Sequence, residues 1–193
     1  MTTPRLILRR WRLTDAAVLS RAVEESLDHI RPWMSWAADE PLSSVARAEL
    51  LRTFEAEWAS GGDVVYGAFL RDTTSGDTDP GTGTVVGGCG FTRRAGAGTL
   101  ELGYWVHVHH LRRGYATEMA SSLTDAAFTV AGVERVEIHN DRANGRSGAV
   151  PAGLGFTFAG ERPDAAMAPA EVGMDWTWAV TRPAWVSRRG ERR

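Results

Sequence analysis

The stretch from Thr99 to Tyr115 constrains this chain more than any other. An alternating apolar run, Thr99 to Val108, feeds the basic loop Leu111-Arg112-Arg113-Gly114, and a helical pattern opens at Tyr115. In that pattern Ala116, Met119, Ala120, Leu123, Ala127 and Val130 recur at helical spacing. Strand, glycine-containing loop and helix N-terminus form one unit. The first N–H groups of a helix have no internal partners, and the dipole there favours negative charge. Two adjacent arginines add ionic attraction, so the unit suits a diphosphate. The same residues also make an ordinary β–α turn with a solvated basic loop.

The rest of the chain organises around that unit. Arg5 to Trp11 alternates as a strand does, and Thr14-Asp15 is a helix-start signal for the residues that follow. Ser43-Ser44 opens a second helix, with Leu51, Phe54 and Trp58 on one face and Gly61-Gly62 as its stop. Strands are expected over Asp63–Arg71, Thr84–Arg94, Leu100–Val108 and Val133–His139, and then in "GFTFAGE" and "MDWTWAVTR". The stretch "DTTSGDTDPGTG" reads as a mobile hairpin loop of turn formers. Hairpins followed by one βαβ step predict an α+β fold: a mixed, mostly antiparallel central sheet with helices on both faces. Residues 1–182 form a single domain, and residues 183–193 are expected to be a flexible basic tail.

Composition excludes several chemistries. The chain of 193 residues suits one domain with a sizeable core. Net charge is −2, so no nucleic-acid partner is expected. All 22 basic residues are Arg, which removes any lysine nucleophile or Schiff base. The single Cys89 allows no internal disulfide and reads as a small core residue. No apolar run reaches the length of a membrane span, and no signal peptide is read, so a cytoplasmic protein is expected.

The motifs "ELGYWV", "LRRGYATE" and "ERVEIHNDRANGRSGAVPAGLGF" together resemble the acetyl-CoA-binding half of the GNAT superfamily of N-acetyltransferases. Within it, "TPRLILRRWRLTDA" and "HIRPWMSW" are similar to the branch that acetylates ribosomal-protein N-termini and small amines. The resemblance implies the acyl-CoA N-acyltransferase fold, in which the fourth and fifth strands part in a V and the cofactor's pantetheine arm inserts between them. It implies an acetyl-CoA-dependent N-acetyltransferase that moves acetyl to a primary amine, either a protein N-terminus or a small molecule, by direct transfer in a ternary complex. Coenzyme A is the product, and homodimers are expected. The alternative is a GNAT-like module that binds CoA and catalyses little.

Under that resemblance, backbone groups of Tyr104, Trp105, Val106, His107 and Val108 hold the pantetheine. Arg112, Arg113, Gly114, Tyr115, Ala116 and Thr117 hold the diphosphate. Asn144 and Arg146 complete the cofactor site; Asn144 is also a plausible helix cap, and Arg146 could equally face solvent. Leu111 stands where relatives carry Gln or Arg, and Arg112 where many carry glycine. If that position needs φ > 0, arginine there is strained; either the loop is rearranged or a phosphate contact offsets the strain. Glu101 is the candidate general base; its plain alternative is an ion pair with Arg93 or Arg94 across the hairpin. Ser147 would assist the departing thiolate, because Pro151 occupies the position of the usual tyrosine acid. Pro151 is also expected to kink or end the short helix that starts at Asn144. Trp33 and Trp36, beside Met34, could line an acceptor pocket. His107, His109 and His110 read as part of the approach to the cofactor loop, helping its charge. No third ligand accompanies them, so no metal is expected.

Overall fold

The computed structural model describes residues 1–71 and 83–191; the expected mobile hairpin loop falls outside them except for Gly83. Seven strands form one sheet: β1 Leu6–Arg10, β2 Val64–Leu70, β3 Val85–Thr92, β4 Thr99–Val106, β5 Arg135–Asp141, β6 Thr157–Pro163 and β7 Met174–Thr181. Their spatial order is β1-β2-β3-β4-β5-β7-β6. Every pairing is antiparallel except β4 with β5. That exception follows from the crossover helix between them, because parallel neighbours need a long connection.

Among the described residues five α-helices cover the sheet: α1 Ala16–Ile30, α2 Ser44–Ser60, α3 Tyr115–Ala127, α4 Gly145–Leu154 and α5 Arg182–Glu191. Two separate cores mark the two faces. Under α3, the side chains of Met119 and Leu123 meet Leu100, Leu102, Val136 and Ile138. On the other face, Leu19 and Val23 of α1 and Leu51 of α2 meet Phe69 and Val85. Each such side chain contributes roughly 1.5–3 kcal/mol by leaving water. Local signals set the helix ends. The Ser43 hydroxyl accepts from the Ala46 amide at 3.2 Å, and Gly61 closes α2 at φ 76°.

The C-terminal segment is helical over its described residues: α5 runs from Arg182 to Glu191. Its Trp185 is buried, meets Phe156 edge-on at 6.0 Å and donates its indole N–H to Asp125 at 2.7 Å. At its start, the Arg182 guanidinium binds the carbonyls of Phe128, Val130 and Val133 just beyond α3. One apolar anchor and one capping arginine therefore hold a segment whose composition is basic. One expectation is narrowed: α4 does not end at Pro151 but runs through it to Leu154. Among the described residues no helix is long and apolar enough to cross a membrane.

Candidate active site

β4 and β5 pair only over Thr99–Glu101 with Arg135–Glu137. Beyond Glu101, β4 stays with β3 while β5 follows β7. The sheet therefore opens in a V, as the motif resemblance implied. The His107 amide donates to the Val86 carbonyl of β3 at 2.7 Å. Backbone groups alternate along a strand, so those of Tyr104 and Val106 turn the other way, into the split. This narrows the expected pantetheine contacts. The Trp105 carbonyl lies against Gly87 of β3, His107 is committed to Val86, and the Val108 amide donates to Ser26 of α1 at 3.1 Å.

The free edge leads to the N-terminus of α3. Gly114 is its N-cap, at φ 77°, and no side chain caps the helix among the described residues. The amides of Tyr115, Ala116 and Thr117 are thus left for an anion. Arg112 does adopt positive φ, 58°, the strained conformation expected for it, and both Arg112 and Arg113 are exposed. Sequence reading missed the clamp beneath this loop. Arg5 donates from Nη1 to the Arg113 carbonyl at 2.8 Å and from Nε to Glu118 at 2.6 Å, and its guanidinium lies 4.6 Å over the Tyr115 ring. Burial resists the Glu118 charge, but Thr3 and Arg5 hold its carboxyl below the usual range. Each half of the signal was visible separately: an acidic residue in the first turn of α3, and an arginine just before β1.

The histidines contribute less charge than expected. Burial lowers the His107 pKa despite Glu25 at 3.2 Å, and burial together with His107, Arg113 and His109 lowers that of His110. Near neutral pH both rings are therefore uncharged, and the arginines carry the positive potential of the loop. Among the described residues no group of three or more His, Cys, Asp or Glu is placed to hold a metal ion.

Across the split, Asn144 caps α4: its Oδ1 accepts from the Ser147 amide at 3.2 Å. Asn140 of β5 steadies that end, donating to the Asn144 carbonyl at 3.4 Å and accepting from the Trp178 indole at 3.0 Å. Arg146 is exposed. The Tyr104 hydroxyl, from the opposite arm, donates to the Ser147 carbonyl at 2.9 Å, and burial pushes its pKa up to about 12.

The face of the sheet under α1 and α2 carries the other half of the site, a cleft of about 720 Å³. Trp33 and Trp36 both line it, and the Trp36 ring meets Trp105 edge-on at 6.3 Å. The short turn bearing Trp36 is fixed by the fully buried Glu40–Arg47 pair at 2.7 Å and by Arg31, which donates to the Ala37 and Glu40 carbonyls. Glu101 lies on the cleft floor, buried, and Arg94 forks onto its carboxylate, with Nε to Oε2 at 2.5 Å. The ion pair and the place in the cleft thus coexist. Cys89 is buried, and burial raises its thiol pKa strongly, so it stays neutral.

Beside Glu101 stands a triad that sequence reading missed. His139 Nδ1 is 2.9 Å from Asp175 Oδ2, and its Nε2 is 2.8 Å from Glu137 Oε2. Burial opposes the imidazolium, yet the two carboxylates push the His139 pKa up to about 9. The acidic partners are depressed in turn: burial resists, and His139 outweighs it. One signal was available. Glu137 and His139 alternate along β5 and so share a face.

An open V in the sheet, an uncapped helix at one end of the free strand edge and a buried carboxylate at the other make a candidate acyl-transfer site. The family model for the acetyltransferase (GNAT) domain matches residues 5–157. The chain belongs to the GNAT acetyltransferase family and is an acetyl-CoA-dependent N-acetyltransferase. No curated protein sequence matches it. Among solved structures, it is similar to Mycobacterium smegmatis RimJ in complex with CoA-disulfide, at 22% identity, covering 97% of this chain and 88% of that one, TM-score 0.78. It is also similar to RimL, a ribosomal L7/L12 α-N-protein acetyltransferase solved with coenzyme A, at 16% identity over 95% and 98% of the two chains, TM-score 0.79. The microcin C7 self-immunity acetyltransferase MccE, solved with acetyl-CoA and AMP, is 15% identical over 93% of each chain, TM-score 0.78. At these identities the likeness establishes the fold.

Proposed function

We propose that this acetyltransferase acts on a cationic primary amine, in particular a basic peptide's N-terminus, by direct transfer in a ternary complex. The observation that carries the reading is the placement of Glu101 and the uncapped α3 amides at opposite ends of one free strand edge. From Leu102 to Val106 that edge spans roughly 13 Å, along which an extended arm can lie between a diphosphate and a thioester. The edge amide of Val106 polarises the thioester carbonyl. Arg112, Arg113 and the first turn of α3 hold the diphosphate. Asn144 and Ser147 face the arm from α4, and Ser147 assists the departing thiolate.

The amine arrives as an ammonium and must lose a proton before attack. Glu101 accepts it, through water, and Arg94 keeps the carboxylate aimed. The cleft favours a cation: eight carboxylates line it against the Arg47 and Arg94 guanidiniums and the His139 imidazolium, and all three cations are paired. Trp33, Trp36 and Trp105 supply apolar walls. An open acidic cleft suits a peptide better than a closed slot would. Similarity to RimL, which acts on a protein α-amine, supports the same choice. The ring ladder of exposed Phe158 with half-buried Trp176 and Trp178 on β6 and β7 supports a homodimer, which light scattering tests.

The test is an acceptor panel with acetyl-CoA, read by mass. Basic peptides with free N-termini should gain one acetyl group at the α-amine, and N-terminally blocked copies should not. Equal rates on acidic and basic peptides, or transfer to small amines alone, would overturn the assignment.

A further inference from the structure

Helix α4 contains a proline where a backbone donor belongs. Residue 151 should give its N–H to the carbonyl four residues back, which is that of Ser147. Proline has no N–H, so the Ser147 carbonyl loses its helical partner. Such a gap usually bends a helix, and a carbonyl withdrawn from water and left unpaired destabilises the fold. Yet α4 continues to Leu154 with Pro151 buried inside it. The missing donor comes from outside the helix: the Tyr104 hydroxyl gives its proton to that carbonyl at 2.9 Å. Among the described residues this is the hydrogen bond that joins β4 to α4, and it crosses the V.

We infer that Tyr104 is a positioning residue of the acetyl-transfer site: its phenol replaces the donor that Pro151 lacks and thereby sets where the first turns of α4 stand relative to the free edge of β4. The other flank of α4 is already fixed. A Cβ on Gly148 would lie 3.1 Å from Asn140 Oδ1, so α4 rests directly on β5. Asn140 also holds the Asn144 carbonyl. The β4 flank has only Tyr104 for this purpose among the described hydrogen bonds, and Ser147, the residue it grips, is the one assigned to the thiolate. Burial keeps the phenol protonated, with its pKa up to about 12, so it remains a donor over the whole working range. Tyrosine on one arm and proline on the other thus form a matched pair, with the phenol satisfying the helix that the proline interrupts.

The inference rests on the acetyl-transfer reading for its kinetic consequence, but the exchange of donors can be measured without any substrate. Tyr104→Phe should lower Tm by about 2–4 °C through the orphaned carbonyl. It should also lower kcat by about tenfold, with KM for the amine within twofold. Adding Pro151→Ala supplies a backbone N–H to the same carbonyl. The double variant should then regain most of both losses, with Pro151→Ala alone as its reference. If the double variant regains Tm but not kcat, the phenol acts on the reacting atoms and the positioning role is wrong. If Tyr104→Phe leaves both quantities unchanged, the bond carries no weight and the inference falls. Ser147→Ala separates the two layers. Unchanged kcat in that variant, with Tyr104→Phe still impaired and rescued, removes Ser147 from the chemistry while leaving the donor exchange intact.

Discussion

The two arms of the proposed active site are built in different ways. The cofactor arm is nearly contiguous, running from Leu102 through the Arg112–Gly114 loop to Ser147, and works through backbone: a free strand edge, an uncapped helix and a capped one. The acceptor arm is assembled from distant pieces. It takes Trp33 and Trp36 from the turn after α1, Arg94 and Glu101 from one hairpin, His139 from β5 and Asp175 from β7. Backbone chemistry needs only a local pattern, because every strand and helix end offers the same groups. Side-chain chemistry needs tertiary contacts to bring particular residues together. The first arm serves a constant cofactor, and the second can vary with the acceptor.

The sharpest test of this division is a change that disables one arm and spares the other. Glu101→Gln should lower kcat/KM at least 100-fold, as expected for loss of a general base, while calorimetry finds the acetyl-CoA affinity within about threefold. A comparable loss of acetyl-CoA binding would show that the arms are not separable. The reverse test is Gly114→Ala. At φ 77° a Cβ costs about 1–2 kcal/mol, and its nearest described neighbour is Arg5 Nη2 at 3.4 Å. Acetyl-CoA affinity should fall about tenfold, with amine KM at saturating cofactor unchanged.

The same division explains what could be read in advance. The β4–loop–α3 unit, the Asn144 cap and the α2 boundaries were legible because each is set by residues within a few positions of one another. Arg112 was legible as a strained position for the same reason. The course of α4 was not, since the donor that excuses Pro151 is 47 residues away, on β4. Nor was α5, whose anchors are Asp125 and Phe156. Glu101 was found by resemblance, but its company was not. Arg94 is a hairpin neighbour and could be named as a partner, while His139 approaches through β5, in parallel register, which no local pattern reveals.

The acceptor arm also leaves a signature in stability. His139 has a folded pKa of about 9 against 6.5 unfolded, so the folded state binds its proton more tightly. That contribution is complete below pH 6.5 and disappears as pH rises through 9. Allowing for partial solvent access, it is on the order of 2 kcal/mol. Urea unfolding should therefore show stability falling between pH 7 and pH 10, and His139→Gln should flatten that slope. The cofactor arm should not follow: its histidines have lowered pKa values, and acetyl-CoA affinity should be level over the same interval up to the pH where the fold itself weakens. An unchanged slope in His139→Gln would mean that the triad is not the acceptor arm's charge store.

The smallest expected effect bears on the cofactor arm alone and has two opposite signs. Arg112 sits at φ 58°, where glycine is unstrained, so Arg112→Gly should raise stability by about 0.5–1 kcal/mol. The same change removes an exposed guanidinium from the diphosphate loop and should weaken acetyl-CoA binding about three- to tenfold. Both measurements are needed, because each outcome alone has a trivial explanation. A more stable variant that binds acetyl-CoA as well as before would mean the strained arginine is merely tolerated. A more stable variant that binds less tightly shows local strain retained for function, confined to the arm where the backbone, rather than the side chains, does the holding.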